Sequence, residues 1–426
     1  MPVHSIGENL TAQYEGYAIY LPSLQRGYAN LPYSDVASVR DGNLPQGCNL
    51  ADLDFLNPNN NLWHCKYVLY SAGQFEKATL PATDMVARRS KDTVVLGDSG
   101  GFQIGMGSLK AVSDLQKYSK QPNAVYHQWL ARRSVRDNIL RWLDTNSDYA
   151  MTLDMPLWVH TNPQAKSSPF INLNTEQLIE LSVENLRYFA DNRGKATGAK
   201  AKYLNVLQDA GNGTGEAWYH AVKDFDFEGW AFGGDTKSGL DPILKWIRRL
   251  LDDQKLDHAE WLHILMLSPA EHAVYCTAIQ KQLRRLLGTE ITVSYDSSSP
   301  FQTAGKYEKI CQMPALTSDI KTWRIPSMPF PQHPKYKKQD DVRYLEDIQS
   351  PISKRFSIND LHVERGLFAQ TFFDKLSACL LTNHNIYVYH RAAIIACNQV
   401  FADNADWDKL PTRIRENLNK IQAVLS

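Results

Sequence analysis

Between residues 90 and 300 the chain alternates between two textures of apolar and polar positions. Short apolar runs recur at "TVVLGD" (93–98), "YAMTLD" (149–154), "KYLNVLQ" (202–208), "EGWAFGG" (228–234), "LHILML" (262–267) and "ITVSYD" (291–296). Each has the length of a buried strand. The intervals between them carry helical patterns with recognisable ends. Asn174 with Gln177 predicts a capping box, and Gly194 predicts the stop of the helix it opens. Asp241-Pro242 predicts a second start, with Ile243, Leu244, Ile247 and Leu251 sharing one face. Ser268-Pro269 with Glu271 predicts a third. Strand and helix in alternation predict parallel β/α units. Six such strands, with room for two more in the first 90 residues, predict a (β/α)8 TIM barrel, class α/β. A doubly wound open sheet is the alternative. No GxGxxG follows a strand, which counts against a dinucleotide fold.

After residue 320 the texture changes. Prolines at 326, 329, 331 and 334 predict an extended crossing, and the aromatic stretch from 358 onward predicts helices. The predicted organisation is therefore a barrel over 1–325, a Pro-rich and basic connection over 326–357, and a C-terminal helical subdomain over 358–426.

Charge and cysteine usage narrow the class. Lys and Arg number 46 against 46 Asp and Glu, so a bulk polyanion binder is disfavoured, though a local basic face is not. The six cysteines are scattered without a CxxC pair, which predicts reduced thiols rather than a disulfide frame or zinc ribbon. The opening "MPVHSIGENL" lacks a signal-peptide layout and no long apolar run occurs, so a soluble, cytoplasmic protein without a membrane segment is expected, in a bacterial cell or a phage-infected host.

The candidate chemistry lies at the strand ends. Asp98, Asp154, Gln208, Gly233-Gly234 and Asp296 close successive apolar runs. In a β/α barrel these ends meet at one mouth, where active sites lie. A single aspartate there is as readily a helix N-cap as a catalyst; three in register make a site. Carboxylates acting together suit glycosyl transfer. An Asp, a Gln and glycine N–H groups also suit the edge of a planar heterocycle, with Phe102 and Met266 as candidate flat neighbours.

At these residues the sequence resembles the tRNA-guanine transglycosylase family. "DSGGFQ" (98–103) is similar to its signature, and "LDM" (153–155), "VLQD" (206–209), "GWAFGGD" (229–235), "ILMLSP" (264–269) and "YDSSSPFQTAG" (295–305) follow in the family's order. "LLTNHNIYVY" (380–389) resembles its C-terminal helix, so the resemblance spans about residues 60 to 395. It implies a (β/α)8 barrel that exchanges guanine in a polynucleotide for a free 7-deazaguanine base, without a cofactor. By the same resemblance Asp296 is the nucleophile and Asp98 the general acid/base. Ser99, Asp154, Gln208, Gly233 and Gly234 then bind the base edge, between Phe102 and Met266.

Three departures from the tRNA enzymes stand out. Gln302 and Gly305 occupy places where cationic groups are expected, leaving only Lys306. His384 stands at the place of a zinc-binding histidine, but Ser353, Arg355 and Ile358 fall where the cysteines belong, so no metal and an ordinary helical histidine are expected. Gly239 replaces the glutamate that meets an aminomethyl group, which favours a neutral, preQ0-like base. These departures resemble the DNA-modifying branch, the 7-deazaguanine DNA transglycosylases of phages and bacteria. DNA is then the expected partner, with tRNA the alternative, and a homodimer or helper proteins are compatible with either. Expected backbone contacts are Lys306, Arg132, Arg133, Arg136 and the run Lys335, Tyr336, Lys337, Lys338. Other readings are a non-catalytic partner subunit, disfavoured by two retained carboxylates, and a sugar-hydrolysing barrel, disfavoured by "DSGGFQ".

Overall fold

The apolar runs become eight parallel strands: β1 (Ile19–Leu24), β2 (Tyr67–Ser71), β3 (Val94–Asp98), β4 (Tyr149–Met151), β5 (Lys202–Asp209), β6 (Gly229–Gly234), β7 (Trp261–Ile264) and β8 (Thr292–Ser297). They pair in chain order, and β8 closes on β1 with Tyr295 beside Tyr20 and Asp296 beside Leu21. The fold is a closed parallel barrel of the TIM type, and closure removes the open-sheet alternative. This computed structural model describes residues 7–40, 44–45, 47–267, 270–329, 350–352, 355–356 and 374–426.

The flanking helices include α1 (Pro122–Ala131), α2 (Arg133–Asn146), α3 (Thr175–Asn192), α4 (Thr214–Val222), α5 (Leu240–Asp252), α6 (Ala270–Leu287), α7 (Ser299–Gly305), α8 (Lys375–Phe401) and α9 (Thr412–Val424). The capping box forms at α3, where the Asn174 side chain accepts the Gln177 N–H and Gln177 returns the bond. Helix α5 opens at Leu240, one residue before the expected Asp241-Pro242, with Pro242 still inside the first turn. Ser268 and Pro269 lie outside the described residues.

Two strands are shorter than their apolar runs. β4 stops at Met151, five residues before Pro156, which carries no N–H for a ladder. β7 stops at Ile264 because the backbone turns into the left-handed region at Met266 (φ +60°). The two strands missing from the apolar pattern lie in the first 90 residues, and β1 hides behind Pro22 and Ser23.

Strand alternation explains where the site sits. Ile19, Leu21, Leu69, Leu96, Leu204 and Val206 pack inside the barrel. Two residues further along their strands the same inward columns reach Ser23, Ser71, Asp98 and Gln208. The interior is thus oily below and polar at the top.

Helix α8 is apolar on nearly every face and is buried along most of its length, sharing one core with the outer layer of the barrel. It is tied to the early part of the chain. Tyr14 Oη lies 2.9 Å from His390 Nδ1, Trp63 Nε1 donates to Asn383 Oδ1 at 2.8 Å, and Tyr387 Oη donates to Glu8 at 2.5 Å. At its start Asp374 caps the helix by accepting the Ser377 N–H and pairs with Arg40 at 2.6 Å, both side chains buried. Of the Pro-rich connection, Ser327–Pro329 pairs antiparallel with Lys309–Cys311; Pro331 and Pro334 lie outside the described residues, as do 358–373. No helix among the described residues is long and apolar enough to cross a membrane.

Candidate active site

Asp296, near the end of β8, is almost fully buried at the mouth. Its Oδ2 accepts the Ser23 hydroxyl at 2.5 Å and its Oδ1 accepts the Met266 N–H at 2.7 Å. The left-handed backbone of Met266 turns that N–H toward the carboxylate, a conformation that costs a side-chain-bearing residue roughly 1–2 kcal/mol. His263 Nε2 lies 3.4 Å from Oδ1. Burial pushes the Asp296 pKa up, but His263, Ser23 and the Met266 N–H outweigh it and hold the carboxyl below its ordinary value.

The other two carboxylates shift the opposite way. Burial raises the pKa of Asp98, and the charge of Asp296 adds to it against hydrogen bonds from Ser71 and the Gly100 N–H. Burial, then the charge of Asp98, pushes Asp154 up to about 7. One ionised carboxylate thus faces two that hold protons more tightly, the division that nucleophile and acid roles require.

The glycines beside them make room. A Cβ on Gly101 would come within 3.1 Å of Asp154 Oδ1. Gly234 has φ +58° and ψ −139°, a backbone in practice confined to glycine, and a Cβ there would meet the Asp209 carbonyl oxygen at 2.4 Å. Phe102 and Met266 are 52% and 67% exposed, so neither is a core residue; Phe102 stacks on Trp158 with centroids 5.4 Å apart.

Three expected base-edge groups are buried or otherwise engaged. The Gln208 amide donates to Asp154 and to the Met155 carbonyl while its oxygen accepts the Leu157 N–H, so it holds the aspartate in place. Ser99 is buried and offers the mouth no open surface. Gly233 is also buried, its carbonyl accepting the Thr236 hydroxyl at 2.5 Å.

The basic candidates separate too. The Arg136 guanidinium is buried, donates to the Leu130 carbonyl at 2.5 Å and lies over the Tyr188 ring, so it serves packing rather than a phosphate. Arg132 is committed to Asp114 and the Ala111 carbonyl, both at 2.7 Å. Arg133 is exposed at the start of α2, and exposed Lys306 lies over the Tyr307 ring at 5.3 Å. Lys335, Tyr336, Lys337 and Lys338 lie outside the described residues. His384 is buried with Nε2 on the Cys311 carbonyl and Nδ1 on the Ser350 hydroxyl, at 2.8 and 2.6 Å; Arg355 donates to the Asn61 carbonyl, and Ser353 and Ile358 lie outside the described residues.

Sequence reasoning missed Ser23, His263 and Lys237. Ser23 was findable by alternation from Ile19 and Leu21, had β1 been placed. Lys237 follows the glycine pair and is half-buried; burial pushes its ammonium pKa down, against the charges of Asp296 and Asp235.

The fold class is thus a parallel β/α barrel of the TIM type, with three carboxylates gathered at the mouth formed by its strand ends. Set against protein-family models and curated proteins, the chain matches none.

The Asp154 shift predicts a pH effect on stability. Its folded pKa of about 7 stands above the ordinary unfolded value of about 3.9, so the folded state keeps a proton the unfolded chain releases. Stability is therefore lost as pH rises from about 4 to about 7. Asp154→Asn removes that loss, so the melting temperature of the variant minus that of the wild type should grow between pH 5 and pH 8. A constant difference across that range would contradict it.

Proposed function

We propose that this protein is a transglycosylase that exchanges guanine in DNA for a free, preQ0-like 7-deazaguanine through a glycosyl-aspartate intermediate. The observation that carries the reading is the gathering of Asp98, Asp154 and Asp296 at one barrel mouth, with Phe102 and Met266 exposed in the turns beside them. Asp296 Oδ attacks C1′ of the target nucleotide and the glycosidic C–N bond breaks. Its electron pair leaves with guanine, and Asp98 supplies the proton that neutralises it. The incoming base reverses both steps: Asp98 takes its proton, its nitrogen attacks C1′, and the aspartyl ester bond breaks. Asp154, held by Gln208, and the Gly234 N–H receive the base edge, while Phe102 and Met266 cover its faces. One pocket serves both bases.

A cationic groove supports a polynucleotide substrate. A cavity of about 490 Å³ lies beside the Gly100 turn, and Arg26, Lys77 and Lys110 line it together with Gly73 and Glu76, the last 3.6 Å from Lys110, which leaves the lining net positive. Gly73 packs against Gly100, so close that a Cβ on it would meet the Gly100 Cα at 2.7 Å. Charge reversal at Arg26, Lys77 or Lys110 should raise the KM for the polymer, leave the KM for the free base unchanged, and flatten the salt dependence by about one unit of slope per lost phosphate contact. Equal effects on both substrates would remove the groove from the reading.

The decisive experiment is incorporation of a labelled 7-deazaguanine into matched DNA and tRNA by the purified protein. Label in DNA supports the proposal. Label in tRNA alone moves the assignment to a divergent tRNA enzyme with the same chemistry, and label in neither rejects base exchange on these polymers.

A further inference from the structure

A buried histidine lies beneath Asp296, and the exchange steps proposed above give it no part. His263 is fully buried inside the barrel, on the inward column of β7, one layer below the mouth. Its Nδ1 lies 2.8 Å from Ser294 Oγ, and the same oxygen accepts the Trp261 Nε1–H at 2.6 Å. Its Nε2 has no hydrogen-bond partner among the described residues except across the 3.4 Å to Asp296 Oδ1.

The direction of the chain follows from what each group can do. Indole nitrogen only donates, so Ser294 Oγ accepts from Trp261 and keeps its own hydrogen to give. That oxygen has a second lone pair as well as its hydrogen, so it can accept from Nδ1 or donate to it. Among the described residues Nε2 faces the Asp296 carboxylate, which only accepts, so the pairing forms when Nε2 carries the ring proton and Nδ1 takes the Ser294 hydrogen. We propose that His263 is a positioning residue for the nucleophile: set in its Nε2–H form by Trp261 and Ser294, it holds the Asp296 carboxylate from below while Ser23 and the Met266 N–H hold it from the mouth. The inference rests on the transglycosylase reading for its catalytic meaning, but not for its geometry. Three donors from three different strands or turns fix both oxygens, so the attacking atom arrives in one orientation. A misplacement of about 1 Å at such a centre costs on the order of 100-fold in rate.

The test pairs variants with a measurement that needs no substrate. His263→Leu removes the donor; His263→Gln puts an amide N–H back near the position of Nε2. With wild-type exchange as reference, the Leu variant should lose roughly 100-fold in kcat while the KM for the free base stays within about twofold. The Gln variant should recover at least about tenfold of that loss, and Ser294→Ala should fall between them. Equal losses in the Leu and Gln variants, both shown folded by melting, would reduce His263 to a packing residue and overturn the proposal. So would an unchanged kcat in the Leu variant.

Nitrogen-15 NMR of histidine-labelled protein, with the His263 signals identified by their loss in His263→Gln, reads the ring directly. A proton on Nε2, and a shift of that nitrogen in Asp296→Ala, are expected. A proton on Nδ1 alone, or no shift, would overturn the proposal. If the wild type exchanges no base, the reading of function fails by itself and the NMR result still decides whether His263 donates to Asp296.

Discussion

Asp296→Asn is expected to abolish base exchange, by roughly 10⁴-fold or more, while leaving the fold and base binding intact. An amide has nearly the shape of the carboxylate. Its oxygen can still accept the Met266 N–H and its nitrogen can donate to Ser23, so the hydrogen bonds that now reach both oxygens keep partners. What is lost is the negative charge that the proposed attack on C1′ requires. The wild-type site maintains that charge against burial, since His263, Ser23 and Met266 together hold the carboxyl below its usual pKa. The measurement is incorporation of labelled base together with denaturing-gel trapping of the covalent complex. Activity within about tenfold of wild type would remove Asp296 from the nucleophile's role. Loss of exchange together with loss of base binding would point to a collapsed pocket instead.

The second large effect concerns stability. Arg40 reaches Asp374 through Nε at 2.6 Å and through a terminal nitrogen at 3.3 Å, and also donates to Ser377 Oγ at 2.8 Å. Both side chains are about nineteen-twentieths withdrawn from water, at 4% and 5% exposure. Arg40→Met should therefore lower the unfolding free energy by about 3–5 kcal/mol, because the buried Asp374 carboxyl loses its guanidinium and keeps, among the described residues, its helix-capping bond. Urea denaturation gives the number. Adding Asp374→Asn to the same chain should return much of the loss, since the uncompensated charge is gone while an N-cap side chain remains. A single variant as stable as wild type would mean that water reaches the pair.

Much of this molecule can be seen in its sequence, for definite reasons. Strands buried on both faces write uninterrupted apolar runs, so β3 through β8 stand out, and the residues closing those runs mark the mouth. Their bounds are less legible where the backbone does something special. The run "LHILML" does not reveal that Met266 adopts a left-handed turn, and that turn is what brings its N–H to Asp296. β1 is obscured because Pro22 and Ser23 break the apolar texture, although Ser23 is the very residue that meets Asp296. Gln208 was visible at its strand end, but its orientation toward Asp154 depends on partners 51 to 54 residues away. Arg136 looks like one more cation in a basic run until the packing of α2 shows its guanidinium over Tyr188. His263 was hidden by its setting, since a polar residue inside an apolar strand reads as core. Pattern finds elements and their ends; it does not find which atoms face each other.

The weave between α8 and the early chain bears on how the barrel comes into being. β1 is the first barrel strand to be synthesised, and one of its two neighbours, β8, is the last. Glu8, Tyr14 and Trp63 likewise reach late partners in Tyr387, His390 and Asn383. The entropy of closing so long a loop must be met before any of these contacts returns free energy, which makes the β8–β1 seam a late event on the folding path. Until β8 arrives, β1 keeps an unpaired edge, and Asp296 lacks the serine that holds it. Assembly of the site and closure of the barrel are, in this protein, one step.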